Sequence, residues 1–419
     1  QDHLARATAR TEFTWTDLDG YARALAANGL GLNVAPLAGH GTLRVAAMGT
    51  DQRPPSPDEL GRMRRDLTIA LDQGAWGMST GLTHVPSAYG AFDEIVALAR
   101  VLASRGALYA THARGPDGIG ESIDLGRESG VSVEHSHMAI NNPAHWGTAD
   151  RQLAQLEQAR ATGIDIVCDV YPYIASSSSL TQHLPLWVQS GGTEAMRRRM
   201  SDPAARKRAL QDMTEGWFTG NGIPFLWDRF MIADTPDGYG IARTIEDLAA
   251  EAGADPYEFT LALCERYGNA VRVVIFYRDE RDVEAFLAHP LSVVGSDGNA
   301  VPMDQGRARI HPRSFGTFPR VLGRYVREHR TLGLEQAIRK MSGETARRLG
   351  MRDRGTIAEG KAADLVLFDP RSVADTADFG AAPTPPVGME LVVVNGVVMV
   401  EHGAITSERR PGRVLLRTG

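Results

Sequence analysis

The feature that most constrains this chain is a rhythm. From about residue 30 to 300 a short β-rich run, a polar loop and a helical stretch follow one another repeatedly. The β-rich runs are Leu32–Leu37, Ala75–Ser79, Ala107–His112, Val131–His137, Ile164–Tyr171 and Ser292–Asp297. Helix-like segments such as Pro57–Gln73, Ala91–Arg105, Ile119–Ser129 and Ala149–Thr162 lie between them. Strands alternating with helices of this length predict βα units and a parallel sheet. The runs are almost continuously apolar, as strands covered on both faces must be.

Polar residues collect where these runs end: Gly39-His40-Gly41, Ser79-Thr80-Gly81, Thr111-His112-Ala113-Arg114, His135-Ser136-His137, Asp169-Val170-Tyr171 and Ser296-Asp297-Gly298. In an α/β protein of the (β/α)8 barrel class this rim carries the chemistry, because the βα loops converge there. Six such strands fall two short of a closed barrel. The expected organisation is a barrel over residues 1–354, interrupted by an insertion or lid at about 184–227, and a small β domain over 355–419. That second region contains two β runs joined by Asn395-Gly396, a strong hairpin signal.

Composition narrows the function classes. The 419 residues, 43% hydrophobic and 23% charged, are ample for a large core without disulfide staples. Cys168 and Cys264 are the only cysteines, which excludes a disulfide scaffold and a cysteine-rich zinc domain. A net charge of −6, with one short basic run from Arg197 to Arg208, argues against a nucleic-acid partner. No apolar stretch reaches the roughly 18 residues needed to cross a bilayer, and a cytoplasmic location is expected. No signal-peptide pattern is read within these residues, which open at Gln1 rather than Met, so a targeting segment is not excluded.

His112 and His137 end successive βα units, so both imidazoles can reach one point above the barrel mouth. With the carboxylate of Asp297, at the end of the last barrel strand, they make a plausible ligand set for a hydrolytic metal, most often zinc. Such a metal polarises a scissile carbonyl, and a neighbouring carboxylate moves the proton. Each residue also has a plainer reading: a strand-end histidine can be structural, and Ser-Asp-Gly is often a turn or cap. His135 shares a strand face with His137 by the period-2 rule and imitates a His-x-His pair.

Taken together, these segments resemble the N-acyl-D-amino-acid deacylases (D-aminoacylases) of the metal-dependent amidohydrolase superfamily. The resemblance rests on Gly39–Arg44, Gly74–Leu82, Tyr109–Arg114, Asp169–Tyr173, Gly295–Gly298, His311–Arg320, and a tail running from Gly355 through Ala363–Val366 to Pro411–Leu415. It implies a (β/α)8 barrel with a small β-sandwich built from both chain ends, one or two zinc ions, and hydrolysis of N-acyl-D-amino acids. The family's later histidine ligands fall on His112 and His137, not on His135, and its catalytic aspartate on Asp297. Its grip on the substrate α-carboxylate falls on Tyr171, Ser177 and Arg313. An arginine fork matches a carboxylate, and hydroxyls donate beside it. Arg313 could instead form a salt bridge at the rim, and Tyr171 could be a packed aromatic.

The resemblance also sets expectations that depart from the family. Its His-x-His on the first barrel strand and its cysteine ligand on the second have no counterpart here; the match begins at the third strand. Roughly a hundred residues are therefore expected to be missing, leaving a truncated chain prone to oligomerise through two strand edges. Many relatives carry a lysine where Ala139 stands, and its loss argues against an acidic-substrate preference. Trp76, Met78 and Leu82 would suit an apolar substrate side chain or the core. Two alternatives remain: a cyclic amide hydrolase of hydantoinase or dihydroorotase type, which usually needs a bridging lysine on a strand, and an inactive fragment or pseudoenzyme.

Overall fold

A run that is apolar on both faces is stable only when sandwiched, and five of the six β-rich runs become central or edge strands of one parallel sheet. The computed structural model describes residues 15–115, 118–215, 222–303, 306–381 and 383–418. The strands are β1 (Ala38–Gly39), β2 (Gly77–Gly81), β3 (Leu108–His112), β4 (Ser132–His135), β5 (Ile166–Val170) and, after a long excursion, β9 (Ser292–Val294). Their order in the sheet is β1-β2-β3-β4-β5-β9, every pair parallel. These are six successive strands of a (β/α)8-type barrel.

The helices follow from the same periodicity: α1 (His40–Met48), α2 (Pro57–Asp72), α3 (Phe92–Ser104), α4 (Gly118–Ser129), α5 (Ala149–Ala161) and α6 (Glu280–Ala288). The start of α2 is encoded locally. Ser56 caps it, Glu59 returns the bond to complete a capping box, and Pro57 occupies the first turn. Helix side chains such as Met63, Leu67, Ile95, Leu98 and Leu156 bury against strand residues Met78, Tyr109, Val133 and Ile166 in one continuous core.

The first β-rich run is the exception. Leu32–Leu37 does not form the barrel strand; only Ala38–Gly39 does. The preceding residues are drawn to the other end of the chain, where Leu30 bridges Gly412 and Val34 bridges Val414. Residues 30–34 and 411–414 thus meet. Trp76 serves the same junction, its indole donating to the Leu415 carbonyl at 2.6 Å, while Met78 and Leu82 are core.

The break in rhythm is wider than residues 184–227. Between β5 and β9 the chain forms a separate antiparallel sheet, order β6-β8-β7, from β6 (Ser176–Ser179), β7 (Phe230–Asp234) and β8 (Arg272–Ile275). It has its own core around Trp227, Phe230, Ile232, Leu261 and Val273; residues 216–221 of this stretch lie outside the described residues. Four consecutive serines in β6 carry no apolar alternation, so that strand leaves no periodic trace. The basic run is spoken for: Arg206 pairs with Glu258 and Glu265, and Arg208 lies over the Trp187 ring.

The C-terminal region is an antiparallel sheet of β10 (Leu365–Phe368), β11 (Met389–Val394), β12 (Val397–Glu401) and β13 (Ala404–Ile405). Asn395 and Gly396 both have positive φ, 48° and 80°, the conformation a two-residue hairpin turn demands. Among the described residues, no helix is long and apolar enough to cross a membrane.

The strand-end His40 turns out to be a lock. Its Nε2 lies 2.9 Å from Glu94 Oε1 and its Nδ1 2.6 Å from Ser87 Oγ, and Arg44 donates to the same carboxylate at 2.7 Å. The Ser-His-Glu order imitates a nucleophilic triad, but His40, Ser87 and Glu94 are all buried, so no substrate reaches the hydroxyl. Burial alone would raise the Glu94 pKa; hydrogen bonds from His40 and Arg44 outweigh it and hold the carboxyl below the ordinary range. The cluster ties α1 to α3 across the β2 loop. Glu94→Ala should therefore cost about 3–5 kcal/mol at pH 7, because it strands a buried arginine. A depressed folded-state pKa contributes stability above the unfolded value and loses it as pH falls through the folded one. The gap between wild type and variant in urea unfolding should accordingly shrink only in acid.

Candidate active site at the strand ends

Register decides which side chains meet. Gly81 pairs with His112 and Thr111 with His135, so β2, β3 and β4 end level at one rim. His112 caps β3, and His137 follows β4 by two residues. His112 Nδ1 and His137 Nε2 stand 2.8 Å apart. The other nitrogen of His112, Nε2, lies 2.6 Å from Thr83 Oγ1, which fixes the ring. His84 packs edge-on against His112 with centroids 4.7 Å apart, extending a row of rings that runs from His84 through His112 and His137 to Tyr171.

Two site residues occupy strained backbone. His137 has φ 42° and Asp297 φ 47°, the left-handed region that non-glycine residues avoid. The His137 turn is held by Asp169, whose Oδ1 accepts from the His137 backbone N–H at 2.8 Å. Gly295 lets the two strands come this close, since a Cβ there would sit 2.9 Å from Asp169 Oδ1.

Burial sets the protonation states. It pushes the His112 pKa well down, helped by the neighbouring His137, and takes His137 down to about 4. Both imidazoles are therefore neutral at physiological pH, the form that ligates a metal. Asp169 moves the other way, raised by burial and by the negative charge of Asp297.

The expected three-donor set is gathered only in part. The two imidazoles converge, but Asp297 Oδ2 stands 2.7 Å from Arg313 Nη1. Among the described residues, His112, His137 and Asp297 do not form a set with all ligand atoms within 4.8 Å; the one that does is Glu280, Glu284 and His329. In that cluster Glu280 is already engaged by Tyr325 and Arg324. The imidazole pair would supply two nitrogens to a metal, while Asp297 is held beside Arg313. His135 turns away, its Nδ1 3.0 Å from Ser122 Oγ on α4.

Of the three residues expected to hold a substrate α-carboxylate, the structure brings Tyr171 and Arg313 together. Arg313 opens α7 (Arg313–Arg320), and its guanidinium lies over the Tyr171 ring at 4.8 Å. Its contact with Asp297 is charge to charge; the N–H directions of Nη1 miss the carboxylate, leaving that nitrogen without a hydrogen bond. His311 positions it, accepting the Arg313 backbone N–H on Nδ1 at 3.1 Å while Nε2 donates to the Ala175 carbonyl at 3.0 Å. Ser177 reaches the cluster through Arg272, whose Nη2 is 3.5 Å from its hydroxyl. Beside His137 opens a cavity of about 440 Å³, lined by His135, His137, Ala139, Asn141, His145 and Arg151 among others.

Sequence reasoning missed Thr83, His84, Arg272 and Arg278. Thr83 and His84 lie only two and three residues beyond Gly81, within reach of the rim rule. Arg272 and Arg278 lie on and just after β8, a strand outside the barrel rhythm, so nothing in the spacing points to them.

Comparison with known proteins follows the same lines. A family model described as "Amidohydrolase family" matches residues 231–400. An N-acyl-D-glutamate deacylase of Alcaligenes xylosoxydans xylosoxydans is 35% identical over 408 residues, covering 96% of this chain and 73% of the relative. A D-aminoacylase of the same organism is 34% identical over 403 residues, covering 95% and 73%. The crystal structure of N-acyl-D-glutamate deacylase from Bordetella bronchiseptica, complexed with zinc and a phosphonate mimic of the tetrahedral intermediate, superposes with a TM-score of 0.80 at 33% identity, covering 99% of this chain and 78% of that one.

The donor geometry makes a sharp prediction. Zinc bound by the purified chain, read by atomic absorption after dialysis, should fall at least tenfold in His112→Ala and in His137→Ala. It should persist in Asp297→Asn.

Proposed function

The chain belongs to the D-aminoacylase family of metal-dependent amidohydrolases, and from that premise we propose that it hydrolyses the amide bond of N-acyl-D-amino acids, releasing a carboxylate and a free D-amino acid. The observation that carries this reading is the meeting, at one barrel rim, of a neutral imidazole pair and a carboxylate ion-paired to an arginine that lies over a tyrosine ring.

His112 and His137 would hold zinc, which when bound supplies Lewis-acid polarisation of the scissile carbonyl. Thr83 keeps the His112 ring in the orientation that ligation needs. Asp297 takes the proton of the attacking water and delivers it to the leaving nitrogen, a task suited to a carboxylate that is not a full ligand. Arg313, Tyr171 and, next to Arg272, Ser177 hold the α-carboxylate, so that the amide lies over Asp297. Arg313 makes this grip directional because a planar guanidinium can fork onto a carboxylate. We assign the catalytic unit to residues 1–354 and the small domain to 355–419. Two free thiols, Cys168 and Cys264, fit a cytoplasmic location.

The cyclic-amide alternative would call for a bridging lysine. The buried Lys340 is tied to the opposite end of the barrel, its Nζ donating to the Ser292 carbonyl at 2.7 Å at the start of β9.

The test is steady-state hydrolysis of N-acetyl-D-methionine by the zinc-loaded chain. Asp297→Asn should lower kcat by about 10²–10⁴-fold with little change in KM, as loss of a proton-transfer group does. Arg313→Lys should instead raise KM, since a lysine cannot fork onto a carboxylate. A wild type that binds zinc and turns over no N-acyl-D-amino acid would contradict the proposal and favour the inactive-scaffold reading.

A further inference from the structure

The identities to a D-glutamate deacylase and to a D-aminoacylase, 35% and 34%, are too close to choose the substrate side chain. One side chain at the rim bears on that choice. Arg278 follows β8, is buried, and lays its guanidinium over the face of Tyr171 at 4.1 Å. Arg313 approaches the same ring at 4.8 Å. A single aromatic therefore carries two guanidinium groups.

Arg278 is only partly satisfied. Its Nε donates to Asn141 Oδ1 at 3.2 Å, while its Nη1 is buried without a hydrogen-bond partner. An unfilled donor on a buried cation is costly unless an acceptor arrives during function. Asn141, which holds Arg278, also lines the cavity beside His137. The charged groups facing this point are Arg313, Asp297 and Asp169, with the uncharged Tyr171 phenol and neutral His112 and His137 beside them. Asp297 faces Arg313, and Asp169 is spent on the His137 backbone. Neither carboxylate satisfies Arg278.

We propose that Arg278 is a specificity-determining residue that receives a second substrate carboxylate, so that this enzyme prefers N-acyl-D-amino acids with an acidic side chain. The inference rests on the deacylase reading above, and it reverses the expectation drawn from Ala139. A small residue at 139 leaves the cavity open, and the cation comes from the other side, off the insertion sheet.

The test compares kcat/KM for N-acetyl-D-glutamate and N-acetyl-D-methionine in the zinc-loaded wild type, Arg278→Met and Arg278→Lys, together with calorimetric binding of D-glutamate. The wild type should prefer the glutamate substrate, and Arg278→Met should lower kcat/KM for it by about tenfold to a hundredfold, chiefly through KM, with a matching loss in D-glutamate affinity. Arg278→Lys keeps the charge without the fork and should retain a weakened preference, which separates a lost contact from a folding defect. A wild type that hydrolyses N-acetyl-D-methionine as well as or better than N-acetyl-D-glutamate overturns the inference and leaves the deacylase reading intact. So does a substrate ratio that Arg278→Met leaves unchanged. Hydrolysis of neither substrate overturns both.

Discussion

Parallel register is the constraint on which the rest depends. Because Gly81, His112 and His135 end their strands side by side, every loop that follows starts from one level. The pairing of Val170 with Val294 extends that level to Tyr171 and to the turn before Asp297. A one-residue slip in any of these ladders would invert side chains between the barrel interior and the helix layer. The helices defend the register by burying a single apolar core against both neighbours of each strand.

Function then requires departures from regular structure at that level. His137 and Asp297 leave their strands in left-handed conformations that disfavour L-residues, at a cost of about 1–3 kcal/mol each. Two neutral imidazoles face each other nitrogen to nitrogen, and two guanidinium groups share one tyrosine. The surrounding scaffold holds this strain in place: Asp169 clamps the His137 turn, His311 sets the start of the Arg313 helix, and the buried Arg44–Glu94–His40 lock stiffens the loop beneath Thr83 and His84.

The sequence made the barrel rim legible because two signals coincide there, an apolar run and the polar group that ends it. His112, His137, Asp169, Tyr171 and Asp297 all lie at such junctions. Other features had no local signal. Ser176–Ser179 forms a strand by pairing with Arg272–Ile275 almost a hundred residues away, and a serine run announces nothing of that kind. Arg278 inherits its place from that pairing. Leu32–Leu37 reads as a barrel strand by composition, yet Val34 is claimed by Val414 from the far end of the chain. The ion pair between Asp297 and Arg313 is likewise a tertiary event; residue identities suggested both groups, but not that one would hold the other.

The central claim is that this rim deacylates N-acyl-D-amino acids with the help of zinc. It is tested most directly by incubating the chain with racemic N-acetylglutamate and separating the free amino acids on a chiral column, with and without zinc. The account predicts release that stops at half conversion, consists of the D enantiomer alone, and disappears when zinc is removed by chelation. Release of both enantiomers, or undiminished release after chelation, would contradict it.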